Sequence, residues 1–388
     1  ITVDQMSASI INGDSSKYVN TPGIDKMLEN GVCFDRAYTP DPLCCPARIS
    51  WLTGQYPSYH GTPLNNTMCY PDMPNIGQVL TKNGYDSYYI GKWHTPGIDM
   101  RSSFKIVHEG TWWGEISDAD VTRGARSILR NHDTDKPFFM TASYLNPHDV
   151  CMTFWHDLGQ NDALPIRHGI LDSKDLPPIY GANAPVKGCE PRNIGNKRKG
   201  VAKSFVTEEQ WRYYLYTYYR QVEMVDREIE LLLRELANSK FADNTIIVLW
   251  SDHGWQLGEK KRWAKYSLWE RATRVNLVWV APGVTKPGST CARPVNLLDI
   301  YPTLASLTGC EPPERQLEGN DLSVLMKNPE ASWDKTSLTT FGYKNYGIRS
   351  ERYRYIVYAD GSEELYDHTK DKWEWDNLAG NSDYAEVM

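Results

Sequence analysis

The sequence predicts an α/β fold in which a large, mostly parallel sheet is sandwiched by helices and a small antiparallel-sheet subdomain follows at the C-terminal end. Three observations carry that prediction. Short apolar runs rich in branched and aromatic residues recur, helical patterns separate them, and beyond Pro313 the texture shifts to alternating residues with turn signals. The 388 residues, 40% of them hydrophobic, exceed what a typical single domain of about 100–200 residues needs. The expected division is a main domain over 1–312 and a smaller one over 313–388.

In chain order, Ile1-Thr2-Val3-Asp4 reads as the second half of a core strand and not as a natural start, so a leader and some strand residues are expected upstream. Helical patterns cover Gly23 to Asn30 and Asn75 to Asn83. Buried strands are predicted at Tyr88-Tyr89-Ile90, Phe138-Phe139-Met140, Ile246 to Trp250 and Val275 to Val280. A long helix is predicted from Glu208 to Ser239, opened by Thr207 and Gln210 at capping-box spacing. Between Cys151 and Lys203 periodicity fades into Pro, Gly and basic residues, among them Arg192, Lys197, Arg198 and Lys199. So long a stretch in a compact fold is a functional loop or a disordered one, and 151–203 is read as a loop insertion. Finally, Tyr346 to Tyr358 and Glu364-Leu365-Tyr366 read as antiparallel strands with turn residues at Asp360-Gly361.

Composition narrows the partners. With 42 basic against 49 acidic residues, a net charge of −7 and no run of like charge, a nucleic-acid partner is excluded as an expectation. No stretch approaches the roughly 20 apolar residues of a membrane span. The 14 Trp and 24 Tyr suit sugar faces as well as a core. Eight cysteines (Cys33, Cys44, Cys45, Cys69, Cys151, Cys189, Cys291, Cys310) are even in number, but a fold this large needs no staples, so at most one or two disulfides are expected.

Residues able to do chemistry stand at the predicted strand ends. Asp4-Gln5 closes the first strand, Gly91-Lys92-Trp93-His94 follows Ile90, Asn146-Pro147-His148-Asp149 follows Phe138 to Tyr144, and Asp252-His253-Gly254 follows Trp250. Ligands of parallel sheets collect beyond the carboxyl ends of strands, and two carboxylates meeting there can share one hard cation. Taken singly, each motif is no more than a strand-end turn, an exposed lysine or a packed histidine.

Cys44-Cys45-Pro46-Ala47-Arg48, followed by Leu52-Thr53-Gly54, resembles the sulfatase signature C-x-P-x-R with its trailing T-G. The resemblance to the type I sulfatases of the alkaline phosphatase superfamily covers nearly the whole chain, with the motifs in the family's order. It implies an alkaline-phosphatase-like fold and a Cys44 oxidised by a formylglycine-generating maturation enzyme to an aldehyde that hydrates to a geminal diol. It further implies calcium held by Asp4, Gln5, the residue at 44, Asp252 and His253. Many members carry Asp-Asp where this chain has Asp4-Gln5. By the same resemblance Lys92 and Lys265 hold sulfate oxygens, Arg48 steadies the nucleophile, His94 sits beside the formylglycine hydroxyl as base, and His148 protonates the leaving oxygen.

The segments Ser251 to Glu259 and Ala264 to Arg274 look most like the iduronate-2-sulfatase branch and its bacterial polysaccharide-sulfatase relatives, except that the usual proline after Val275 is Asn276 here. The implied substrate is a sulfated carbohydrate, attacked at a terminal sugar of a uronate-containing or marine glycan, and the implied location is periplasmic or extracellular. Two alternatives stand beside this. Phosphonate monoester and phosphodiester hydrolases share the formylglycine motif, the Asp-Gln start and the Asp-His pair; an inactive carbohydrate-binding homologue would share the scaffold.

Overall fold

A computed structural model describes residues 1–110, 113–151, 177, 207–311, 313 and 317–388. The loop insertion expected over 151–203 lies, apart from Cys151 and Pro177, outside the described residues. The main sheet has eight strands among them: β1 (Thr2–Val3), β2 (Val32–Phe34), β3 (Asp86–Gly91), β4 (Lys105–His108), β5 (Phe138–Tyr144), β6 (Ile247–Ser251), β7 (Leu277–Val280) and β8 (Ser289–Cys291). Their order is β8-β2-β7-β6-β1-β5-β3-β4. All run in one direction except β7, which is antiparallel to both neighbours.

Consecutive residues of these strands face opposite sides, as a period of two requires. Ile90, Leu249 and Val278 enter one core, while Tyr89, Trp250, Leu277 and Trp279 enter the other. This is why the strands read as unbroken apolar runs instead of alternating ones. The first core is completed by the helices Pro22–Asn30, Gly114–Asn131 and Glu208–Ala237, and the second by Cys44–Thr53, Ile76–Lys82, Ile300–Thr308 and Ser323–Lys327. The 30-residue helix begins with the expected reciprocal cap: Gln210 N–H donates to Thr207 Oγ1 at 3.1 Å and Thr207 N–H to Gln210 Oε1 at 3.1 Å. No helix among the described residues is long and apolar enough to cross a membrane, and no two described cysteines are bridged.

Two expectations need correction. The run Val275 to Val280 is not one strand. Val275 pairs with Ala37 in a separate three-stranded sheet, and the main sheet resumes at Leu277. The break falls at Asn276, whose amide donates to the carbonyls of Met6 at 3.0 Å and Ser7 at 3.2 Å. The helices Cys44–Thr53, Gly114–Asn131 and Ile300–Thr308 were also not foreseen. Cys44–Thr53 is buried on every side, so it lacks the polar stripe by which an amphipathic helix is read.

The C-terminal sheet is antiparallel, with β9 (Ser337–Thr340), β10 (Tyr346–Arg349), β11 (Tyr353–Val357) and β12 (Glu363–Asp367) in sequential order. A third core of Phe341, Ile356, Tyr358 and Tyr366 joins it to Leu43, Leu268 and Trp269. Lys260 is held between the rings of Trp269 and Tyr366, 4.2 and 4.5 Å from their centroids, a cation–π sandwich across the same seam.

Candidate active site

The carboxyl ends of β1, β3, β5 and β6 lie side by side, because those four strands are parallel and consecutive in the sheet, in the order β6-β1-β5-β3. Asp4, Lys92, His148 and Asp252 leave the sheet on one edge for that reason. The helix Cys44–Thr53 presents its amino end there, with Pro46 in the first turn, where its missing N–H costs no helical bond. Arg48 follows Cys44 by one turn and so shares its face.

Arg48 is the hub of the cluster, fully buried and bonded four ways. Nε donates to Asp252 Oδ2 at 2.9 Å, one terminal nitrogen to Asp4 Oδ2 at 3.1 Å, and the other to the carbonyl of Lys92 at 2.9 Å and Ser143 Oγ at 3.0 Å. The Lys92 ammonium pairs with Asp4 Oδ2 as well. The other carboxylate oxygens face inward: Asp4 Oδ1 lies 3.8 Å from Cys44 Sγ and 3.9 Å from His253 Nε2, and Asp252 Oδ1 lies 3.6 Å from that nitrogen. Lys265 Nζ is 2.8 Å from Cys44 Sγ and 3.1 Å from His253 Nε2. Asp4, Cys44, Asp252 and His253 thus bring one donor atom each within 4.8 Å of one another.

The charges set each other's protonation. Burial alone would raise the Asp4 carboxyl, but Lys92, His148, Arg48 and Lys265 around it hold it well below the carboxylate range. Burial and Asp4 oppose ionisation of the Cys44 thiol, yet Lys265, Lys92 and His253 outweigh them and bring it well below its ordinary value. Burial works against the His94 imidazole, and hydrogen bonding to the Cys44 and Cys45 sulfurs overcomes it, lifting His94 to about 9. His148 is driven the other way, well below its ordinary value, by burial and then by Lys92. Its Nδ1 has no hydrogen-bond partner among the described residues.

Every residue singled out from the sequence lies at this edge. Gln5 is there in a different posture from the acidic ligands: its main-chain N–H donates to Asp252 Oδ1 at 2.9 Å, and its side-chain amide donates to the His148 carbonyl at 3.4 Å and to Cys151 Sγ at 3.5 Å. The sequence did not point to Ser143, Thr39 or Tyr218. Thr39 Oγ1 donates to the Asp252 carbonyl at 2.7 Å. The Tyr218 hydroxyl accepts from Ser7 N–H at 2.7 Å and donates to the Gln5 carbonyl at 2.9 Å, pinning a backbone that turns left-handed at Gln5. Lone hydroxyl residues inside strands and helices carry no sequence signal. Asn276 did carry one, as a departure from the family's proline.

The mostly parallel sheet, its two helical layers and the polar cluster at its carboxyl edge define a hydrolase of the alkaline-phosphatase-like class. Residues 1–310 match the sulfatase family model, and residues 258–388 match the one described as N-sulphoglucosamine sulphohydrolase, C-terminal. The chain belongs to the sulfatase family and is a sulfuric ester hydrolase. A sulfatase of Formosa agariphila is 30% identical over 98% of this chain and 82% of its own length, and the iduronate 2-sulfatase of Mus musculus is 26% identical over 92% and 84%. Among solved structures, a 2-O GAG sulfatase superposes with a TM-score of 0.82 at 23% identity, covering 100% of this chain and 88% of that one. A phosphonate monoester hydrolase from Silicibacter pomeroyi gives 0.79 at 22%, covering 100% and 92%. At such identities these two likenesses speak for the fold alone.

Proposed function

We propose that the protein removes sulfate from a terminal sugar of a sulfated, uronate-containing carbohydrate, using formylglycine made from Cys44 by a maturation enzyme and a bound calcium ion, in the periplasm or outside the cell. The observation that carries this reading is the buried meeting of Cys44 with Lys265, His253 and Asp4. A thiol in a structural core has no need of three ionisable neighbours. The name of the Mus musculus relative, iduronate 2-sulfatase, supports the sugar class. Burial supports terminal attack: Cys44 is 1% exposed, Lys265 7% and Lys92 9%, so the reacting ester must be thrust inward on a projecting residue.

The donor set fits a hard divalent cation. Two carboxylates are held with one oxygen each turned inward, beside an imidazole nitrogen and the atom at position 44, which is Sγ in the precursor and an oxygen after conversion. Asp4, Asp252, His253 and residue 44 would hold the ion, with Gln5 contributing its amide oxygen. When bound, the ion supplies positive charge opposite the sulfate oxygens. Hydrated formylglycine supplies one oxygen to attack sulfur and a second hydroxyl whose deprotonation expels sulfate.

The chain's own side chains do the rest. Lys92 and Lys265 are aimed into the cluster before any substrate arrives, so their charge costs no reorganisation when negative charge moves toward the leaving oxygen. Arg48 is spent on Asp4 and Asp252 and orients them. His94, beside residue 44, is held protonated in the precursor by the Cys44 and Cys45 sulfurs; conversion of Cys44 removes the first of these, and the freed imidazole takes the hydroxyl proton. His148 gives a proton to the leaving alcohol; burial and the nearby charges of Lys92 and Lys265 favour its neutral form, and an entering sulfate monoester brings the negative charge that favours its protonated one.

A panel of defined sulfated oligosaccharides, an aryl sulfate and an aryl phosphonate monoester tests the reading. Sulfate release from terminal sulfated sugars is expected to exceed phosphonate cleavage in kcat/KM. Preference for the phosphonate would replace this reading with the phosphonate hydrolase one, and binding without turnover of any substrate would favour the inactive homologue. Chelation checks the ion separately. Removing a ligand present at a hundred times its Kd should cost about 2.7 kcal/mol, lowering Tm by roughly 3 °C, and added Ca²⁺ should restore it better than Mg²⁺ does. An unchanged Tm would count against the cation.

A further inference from the structure

Among the described residues His148 Nδ1 has no hydrogen-bond partner that would explain how a ring on a loop keeps its aim. The explanation lies in the loop's backbone and in the helix Gly114–Asn131 behind it. Asp118, on the second turn of that helix, accepts from Leu145 N–H at 2.7 Å through Oδ1 and from Asn146 N–H at 2.9 Å through Oδ2. Asp149, the residue after His148, reaches back: its Oδ2 accepts from Gly114 N–H at 2.6 Å and Glu115 N–H at 3.2 Å. The helix therefore holds the loop, and the loop caps the helix. Within the loop, His148 N–H closes the turn onto the Leu145 carbonyl at 3.0 Å, so its position follows from those of Leu145 and Asn146.

The contact is also sterically tight. A Cβ on Gly114 would stand 2.6 Å from Asn146 Nδ2 and 2.9 Å from Asn146 N, closer than real Cβ contacts come. Both carboxylates are buried, Asp118 at 4% exposure and Asp149 at 2%. Asp149 alone caps the helix, as a single serine or aspartate can; Asp118 is buried at further cost only to hold two main-chain N–H groups of the loop. Burial pushes Asp118 to about 7 and Asp149 to about 6 against the pull of their N–H donors, which shows what the arrangement costs.

We propose that Asp118 is a positioning residue for sulfate-ester cleavage: with Asp149 and Gly114 it forms a reciprocal clamp that fixes the aim of His148 at the leaving oxygen. This rests on the acid role proposed for His148. A residue that acts only through the acid must matter most where the leaving group most needs a proton, whereas a merely structural residue lowers all rates alike.

The test measures kcat/KM over a series of sulfate esters, from a sugar sulfate to aryl sulfates of falling leaving-group pKa, in protein carrying formylglycine. Asp118→Asn keeps the shape and one acceptor, and Gly114→Ala removes no hydrogen bond while displacing Asn146. Each is expected to lose about 30-fold or more on the sugar sulfate and about 3-fold or less on the best aryl sulfate, steepening the leaving-group dependence in the same sense as His148→Ala. If His148→Ala steepens it and both variants lose equally on all esters, or lose nothing, the clamp has no positioning role. If His148→Ala leaves the dependence unchanged, the acid assignment itself is overturned. Should Asp118→Asn fail to fold, Gly114→Ala carries the test alone.

Discussion

Cys44→Ala is expected to lose about 10⁴-fold or more of sulfate-ester turnover, because what remains after deletion of a nucleophile is binding and electrostatic help alone. The geometry makes the loss specific. Alanine at 44 leaves the Asp4, Asp252 and His253 atoms in place and leaves Lys265 Nζ 3.1 Å from His253, so binding of a sulfated sugar should fall far less than turnover. Intact-mass analysis of the parent protein, expressed with maturation machinery, should find residue 44 converted from thiol to aldehyde. Turnover by protein whose Cys44 is wholly a thiol would remove formylglycine from the mechanism.

The second large effect is on stability. Arg48→Ala deletes a guanidinium bonded at 2.9 Å to Asp252 and 3.1 Å to Asp4, both fully buried, and strands their outer oxygens in the protein interior. Breaking a buried ion pair from one side costs about 3–5 kcal/mol, or roughly 5 °C in Tm for a chain of this size. Arg48→Lys should recover little, because one ammonium on a shorter stem cannot reach both carboxylates, the Lys92 carbonyl and Ser143 Oγ. Thermal unfolding followed by circular dichroism decides it; a Tm within about 2 °C of the parent would mean that Lys92 alone can neutralise the pair.

Much of this was legible in the sequence, for identifiable reasons. Strands covered on both faces announce themselves as apolar runs, and β3, β5 and β6 fall where the runs at Tyr88, Phe138 and Ile246 predicted them. Since the motifs of Asp4, Lys92, His148 and Asp252 were each placed just after such a run, the common edge at which they gather followed from the strand assignments. What stayed hidden was whatever depends on long-range contact. The helix that carries Cys44 has no amphipathic stripe because the second core and the site enclose it completely. The end of a strand at Asn276 is decided by carbonyls some 270 residues earlier in the chain. Asp118 belongs to a helix with Gly114, Gly124 and few apolar positions, and nothing in its own surroundings reveals that its partners are two amides beyond the next strand.

The third core has a practical consequence. Leu43 precedes Cys44 and Leu268 lies three residues past Lys265, and both pack under the C-terminal sheet, which also sends Thr340 N–H to the Pro40 carbonyl at 2.8 Å and Thr339 Oγ1 to the Thr39 carbonyl at 2.7 Å. The tail is thus a brace beneath the two segments whose spacing the chemistry depends on. Anyone trimming this protein to a minimal catalytic piece would be removing the floor on which its reactive groups stand.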